Sequence, residues 1–355
     1  MSLTPADTPS LPPELQGAVD ELIAEAGISA NRSLIERILV TGLHLGTDPT
    51  DRLDLKITAA ALEEMRAAFR LFAPYADVPK VTVFGSARTR PDDPGYAQAE
   101  QVAAALAEQG WMVVTGAGPG IMEAATKGAG PRRSLGVSIR LPFEESPNPV
   151  LVDPNRVAMK YFFTRKLMLV KESRGFVCLP GGFGTLDETF ELLTLQQTGK
   201  AEPVPIVLLD RPGGHYWRGL ADFVETELAG GGFIASDDLE RVLITEDPVR
   251  AVDEIVGFWR NYDSLRWVGG RLVLRLRAEP SAAEIAGLNE RFAGLLAGGR
   301  IERVAPFAVE RNDDDRLELP RLALELVPRQ VGELHRLIRA IDELPSAPTE
   351  PPLGV

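Results

Sequence analysis

Apolar positions recur at helical spacing over Glu14–Ala26, Arg32–Leu45 and Ile57–Ala73, broken at Gly27, Gly46 and Asp48-Pro49. They predict a helical N-terminal region, residues 1–76, behind a loose start. From Val81 the pattern changes to short apolar runs alternating with helical stretches. VTVFG, MVVTG, LGVSI, FVCLP and PIVLL read as strands; Tyr96–Gln109, the stretch from Gly120, Tyr161–Ser173 and the stretch from Leu186 read as helices. That alternation predicts an α/β domain over residues 77–262, a Rossmann-like doubly wound parallel sheet. It ends with Ala221–Leu228, the VLIT run at Val242–Thr245 and a helix Pro248–Trp259. A further unit, residues 268–345, starts with RLVLRLR near Arg271 as a strand and Ala282–Leu296 as a helix. Ile301–Val309 and Leu317–Leu326 follow as strands and Val331–Leu344 as a helix. This βαββα order predicts a small α+β domain of ferredoxin-like type, with a loose tail at 346–355.

Composition narrows the function classes. The chain has 355 residues with 38 basic against 51 acidic side chains, a formal charge of -13. That balance opposes a broad electrostatic footprint for nucleic acid or an anionic membrane, while a small anion needs only a local cationic site. No stretch approaches the roughly 18 consecutive apolar residues of a membrane helix. The acidic, Pro-rich start lacks a signal peptide's basic and apolar regions, so a soluble, cytoplasmic protein is expected. His44, His215 and His335 are scattered without metal-ligand spacing, and neither a metal nor a cofactor is expected. The single cysteine, Cys178, lies in an apolar run and reads as a buried hydrophobe rather than a reactive thiol.

The candidate chemistry lies in three glycine-bearing loops, each directly after an expected strand: Gly85-Ser86, TGAGPG at Thr115–Gly120 and PGGFGT at Pro180–Thr185. Glycine lets backbone N–H groups approach an anion, and a helix that follows points its positive dipole end at the same place. Phosphate is the guest this suits. A dinucleotide fingerprint is only approximated by Gly116, Gly118 and Ile121, and no acidic residue follows at ribose-binding distance. There is no Gly-Lys-Ser/Thr for a P-loop.

Glu188 admits two readings. Thr185-Leu186-Asp187-Glu188 has the spacing of a capping box, in which Thr185 caps the helix and Glu188 returns to its N–H. Alternatively the carboxylate, just past a phosphate-binding turn, stabilises an oxocarbenium-like ribose centre and positions or activates water. One rotamer cannot serve both. Arg165 and Lys166 are either a solvated helix face or a phosphate or leaving-base clamp, for which the guanidinium fork is the better suited. Glu123 reads as a carboxylate complementing the dipole of the helix after TGAGPG.

PGGFGTLDE, preceded by Arg165-Lys166 and TGAGPGIME, resembles the Lonely Guy family of nucleoside 5'-monophosphate phosphoribohydrolases, whose signature is PGGxGTxxE after an Arg-Lys pair. The resemblance covers roughly Val81 to Trp259. It implies a Rossmann-like fold that hydrolyses the N-glycosidic bond of AMP or a cytokinin riboside 5'-monophosphate to free base and ribose 5-phosphate, with no redox cofactor or metal. By motif position it implies Arg165 and Glu188 as catalytic residues. It implies Gly181, Gly182, Gly184, Thr185 and Lys166 at the substrate phosphate, with Gly85, Ser86, Gly116, Gly118 and Gly120 on the other nucleotide-facing loops. It further implies a homodimer. Two departures stand out: MKYFFTRK replaces the usual Met-His before the Arg-Lys pair, and TGAGPGIM stands where the family often has GGGxxGLM. An older family label, lysine decarboxylase, needs pyridoxal phosphate on a Schiff-base lysine, for which the chain shows no recognisable site. The alternative to an enzyme is a binding module of the same fold that carries or senses a nucleotide or molybdenum cofactor. A regulatory role for the C-terminal unit is a further expectation, by fold analogy.

Overall fold

Five consecutive buried residues, Lys80–Phe84, form β1 at the centre of a parallel sheet, where both faces are covered and polar alternation disappears. The computed structural model describes residues 11–140, 151, 154–327 and 331–350. The expected loose start and the last five residues lie outside this set. The chain divides into two compact units, Met1–Glu63 and Glu64–Val355.

The first unit holds α1, Pro13–Glu25, and α2, Arg32–Thr47, with most of α3, Arg52–Phe72. Gln16 donates to Glu36 at 2.6 Å and Arg32 pairs with Asp20 at 3.0 Å.

In the second unit, seven parallel strands stand in the order β4-β3-β2-β1-β5-β6-β7. They are β2, Met112–Thr115; β3, Ser134–Ile139; β4, Arg156–Met159; β5, Gly175–Cys178; β6, Ile206–Leu209; and β7, Val242–Thr245. The helices between them are α4, Pro94–Glu108; α5, Ile121–Ala129; α6, Phe162–Lys171; α7, Phe183–Gln197; α8, Tyr216–Phe223; and α9, Pro248–Gly257. The Asp-Pro starts of α4 and α9 follow directly from the sequence. Asp93 accepts from Gly95 N at 2.8 Å and Asp247 from Val249 N at 2.9 Å, while each proline occupies a position that needs no N–H donor. The chain runs outward from β1 to β4 and returns to β5 beside β1. The switch point of the sheet, where doubly wound folds bind ligands, therefore lies between the carboxyl ends of β1 and β5.

Strand β4 was not expected; it is a short edge strand, exposed at Ala158, without the apolar run that marks the others. Cys178 is fully buried in β5, and burial pushes its thiol up to about 12, which removes the reactive thiolate at neutral pH.

A second, antiparallel sheet has the order β10-β11-β9-β8. Its strands are β8, Tyr262–Val268; β9, Arg271–Leu276; β10, Leu296–Arg303; and β11, Arg321–Leu326. The accompanying helices are α10, Ala282–Arg291; α11, Ala308–Asn312; and α12, Val331–Asp342. Strand β8 adds the fourth position to the expected βαββα unit, joined to β9 by Gly269-Gly270 at φ +55° and +84°. A two-residue Gly-Gly connection between two strand-forming runs is a hairpin signal legible in the sequence itself. Strand β10 begins five residues before the expected Ile301. Gly299, at φ +66°, is absorbed as an irregularity in the β10–β11 register.

One buried cluster joins Val81 and Val177 of the large sheet through Ile255 and Phe258 to Leu274 of the small sheet and Leu337 and Ile341 of α12. A polar tie accompanies it: His335 of α12 lies 2.8 Å through Nε2 from Gln196 Oε1 of α7. Burial, with Arg339 and Arg241 adding repulsion, pushes His335 down to about 3. A folded-state value below the free one means that the unfolded chain binds the extra proton. The imidazole's contribution to stability is thus complete above about pH 6.5 and is lost as pH falls toward 3. In thermal melts across pH 3–7, His335→Gln should reduce the slope of stability against pH by up to about 1.4 kcal/mol per pH unit. Equal slopes for wild type and variant would show that His335 is not the proton acceptor.

Candidate active site

The three glycine loops meet at the switch point. Ser86 N donates to Pro180 O at 3.2 Å, linking the loops after β1 and β5, and Ile121 N donates to Ser86 O at 3.1 Å, linking the loop after β2. Close approach explains the glycines. A Cβ on Gly85 would fall 2.5 Å from Ile121 Cγ2, one on Gly118 2.5 Å from Met122 Cε, and one on Gly181 2.2 Å from Thr185 Oγ1. Gly120 has φ +68°, and its Cβ would strike Ser86 O at 2.4 Å. Gly182 and Gly184 instead face open space. Ala117, at φ +56°, holds a left-handed conformation where the GGGxxG pattern would place glycine, so this loop carries local strain.

Helix α7 starts at Phe183, three residues before the expected Leu186, with Gly182 at its N-cap and no side-chain cap among the described residues. The first backbone bond runs from Leu186 N to Gly182 O at 3.1 Å, so the N–H groups of residues 183–185 are left for another acceptor. Thr185 is therefore inside the first turn and Glu188 in the second, and the capping-box reading fails. Ser281 and Glu284 at the start of α10 show a real one, with Glu284 N to Ser281 Oγ at 3.3 Å and Ser281 N to Glu284 Oε2 at 2.6 Å.

Freed from capping, Glu188 pairs with Arg165. Nη1 of Arg165 lies 3.1 Å from Glu188 Oε1, and both side chains are about nine-tenths buried. Arg165 Nε donates to Val137 O of β3 at 3.0 Å. Its Nη2 sits where Gly116 leaves room, since a Cβ there would lie 2.1 Å away. Burial is the largest influence on Glu188 and pushes it up to about 7; the Arg165 guanidinium pulls the other way, and Asp187 adds to the rise. The carboxyl is poised to exchange a proton near neutral pH.

Lys166 faces elsewhere. Its Nζ is held at 2.9 Å by Asp187 Oδ2 and at 2.8 Å by Glu191 Oε2, an α6–α7 clasp. Burial works against this ammonium's charge, but hydrogen bonds to Glu191 and Asp187 outweigh it and raise the pKa. Glu123, in the first turn of α5, accepts from Tyr96 Oη at 3.4 Å.

Two supporting residues escaped the sequence reading. Tyr216 Oη donates to Gly181 O at 2.8 Å and pins the PGG turn. Glu64 of α3 accepts from Lys160 N at 2.6 Å and Thr164 Oγ1 at 2.7 Å, placing a buried carboxylate at the N-terminus of α6, one turn before Arg165. Neither carries a local signal, because their partners are 35 and about 100 residues away. Glu64→Ala should cost about 1–3 kcal/mol in urea unfolding, the penalty for orphaning buried donors at a helix start. A change below about 0.5 kcal/mol would contradict this assignment.

The family model described as "Possible lysine decarboxylase" matches residues 120–255, which take in Arg165, Glu188 and the turn at 180–185. Proteins named cytokinin riboside 5'-monophosphate phosphoribohydrolase are similar. The one from Mycobacterium marinum is 30% identical over 153 residues, 41% of this chain and 77% of that protein. The one from Mycobacterium tuberculosis is 30% identical over 156 residues, 42% of this chain and 79% of that protein. Among solved structures, the molybdenum cofactor binding protein of Rippkaea orientalis matches at TM-score 0.34 and 23% identity, covering 50% of this chain and 94% of that one. The molybdenum cofactor carrier protein of Chlamydomonas reinhardtii matches at TM-score 0.34 and 21% identity, covering 49% and 94%. With the signature turn and a paired Arg and Glu inside the matched region, and nearly four-fifths of those mycobacterial relatives covered, this chain belongs to the Lonely Guy family, that of the cytokinin riboside 5'-monophosphate phosphoribohydrolases.

Proposed function

We propose that the protein hydrolyses the N-glycosidic bond of a nucleoside 5'-monophosphate, AMP or a cytokinin riboside 5'-monophosphate, giving free base and ribose 5-phosphate. The buried Arg165–Glu188 pair at the switch point is the observation that carries this reading. The uncapped N–H groups of residues 183–185, at the positive end of α7, suit the 5'-phosphate, with the 85–86 and 116–120 loops beside them. Glu188 lies one turn further along α7, within reach of a ribose whose phosphate is held at that helix start. As the C1'–N bond breaks, its electron pair leaves with the base and positive charge develops on the ribose. The Glu188 carboxylate stabilises that charge and takes a proton from the water that attacks C1'; passing that proton on to the departed base nitrogen completes the free base and restores the carboxylate. Arg165, fixed by Val137 O and by Glu188, holds the carboxylate in place and favours its ionised form. Lys166, with its charge taken up by Asp187 and Glu191, contributes through the α6–α7 clasp rather than at the phosphate.

With AMP and isopentenyl-AMP as substrates, wild type should release base, and Arg165→Ala and Glu188→Gln should each lower kcat by about 100-fold or more. Tight nucleotide binding by wild type without base release, surviving Glu188→Ala, would replace the enzyme with a binding module.

The pH profile has a definite sign. The reaction uses the carboxylate, so kcat/KM should rise about tenfold per unit up to the Glu188 value of about 7 and level off above it. A limb falling from pH 5 to 7 would assign Glu188 as a proton donor instead.

A further inference from the structure

A cavity of about 590 Å³ lies away from the glycine loops, between α6 and α7 on one side and the four-stranded sheet on the other. Its volume is that of pockets that take small molecules. Phe176, Leu192, Leu195 and Leu265 give it apolar walls.

The charged groups at its wall are unevenly committed. Arg275 is held by Glu310 at 2.9 Å and Asp315 at 2.6 Å, Arg316 by Asp263, and Lys171 by Glu172 at 2.6 Å. Arg174 and Lys200 make no close ion pair among the described residues; the Arg174 guanidinium lies 5.2 Å over the Trp259 ring and acts on the Glu202 carboxyl from a distance. Glu202 is the wall carboxylate outside these pairs. Five cations line the wall against three carboxylates, Glu202, Asp263 and Asp315, so in a chain of net charge -13 this is a locally cationic, apolar-walled chamber.

Its position ties it to the reacting pair. Leu167 follows Arg165 by two residues on α6, and Leu192 follows Glu188 by one turn on α7; both line the cavity. Gln196, also at the wall, is the residue that His335 of α12 holds. An occupant would therefore touch both helices that carry Arg165 and Glu188, together with the C-terminal sheet.

We propose that this chamber binds a small organic anion with an apolar body, its anionic head on Arg174 and Lys200, and that occupancy alters turnover by shifting α6 against α7. The binding half stands alone; the turnover half rests on the hydrolase reading above.

Titration of the full chain with the anionic fluorophore 8-anilinonaphthalene-1-sulfonate tests the first half. Wild type should show a saturable component that weakens at least tenfold in Arg174→Ala and at least fivefold in the surface variant Lys200→Glu. Phe183→Ala, which removes an exposed aromatic ring outside the cavity wall, should leave that component unchanged. Unaltered binding in either cation variant overturns the site. Base release from AMP tests the second half: saturating fluorophore should change kcat at least twofold in wild type and not in Lys200→Glu. Unchanged kcat in an active wild type overturns the coupling. A wild type without turnover fails the hydrolase reading, and with it the turnover half, but leaves the binding result to be judged by itself.

Discussion

A buried ion pair imposes the strictest demand on this structure. Arg165 and Glu188 come from different helices, and the 3.1 Å contact between them is largely removed from water. Desolvation of such a pair rivals its Coulombic attraction, and removing either partner strands a buried charge. For Glu188 the balance is visible, since burial outweighs Arg165 and lifts the carboxyl from 4.5 to about 7. That rise corresponds to roughly 3 kcal/mol of charging cost. Its folded-state value exceeds the free one, so its contribution to stability is present at low pH and lost as pH climbs from 4.5 through 7. The fold therefore gives up stability as this carboxyl ionises near neutral pH.

Much of the surrounding structure keeps that pair in register. Val137 O fixes one edge of the guanidinium, and Gly116 has no side chain to displace the other. Glu64 anchors the start of α6, and the Lys166 clasp to Asp187 and Glu191 sets the spacing of α6 against α7. Adjacent residues on α6 thus reach different carboxylates of α7, Arg165 the buried Glu188 and Lys166 the more exposed Asp187 and Glu191. The sequence motif presents them as one unit; the helix separates them by about 100° of rotation.

How legible each part was depends on the range of the interactions that make it. Strands buried on both faces and glycine loops at their ends are local patterns, and β1, β2, β3, β5, β6 and β7 stand where apolar runs put them. The start of α7 was misplaced because Thr185 and Glu188 have capping-box spacing; tight packing of the Thr185 hydroxyl on Gly181 outcompetes the cap. Ser281 and Glu284, with the same spacing and no turn to pack on, do form the box. Glu64 and Tyr216 act on partners far along the chain, so no window of sequence could expose them. The start of β10 shows a related limit, since residues 296–300 lack an apolar run and join the strand through pairing with β11, about 25 residues on.

The C-terminal sheet bears on the site through packing rather than proximity. Its core is continuous with one face of the large sheet, and the His335–Gln196 bond ends on α7 two turns beyond Glu188. Charging His335 would require solvating an imidazolium in a site that holds its ring at 0% exposure beside Phe258, so this tie does not titrate near neutral pH. It acts as a fixed strut. The cavity borders both α6 and α7, and its wall includes Gln196, the residue on which that tie ends. An occupant of that space would meet the strut's own anchor on α7 together with Leu167 of α6.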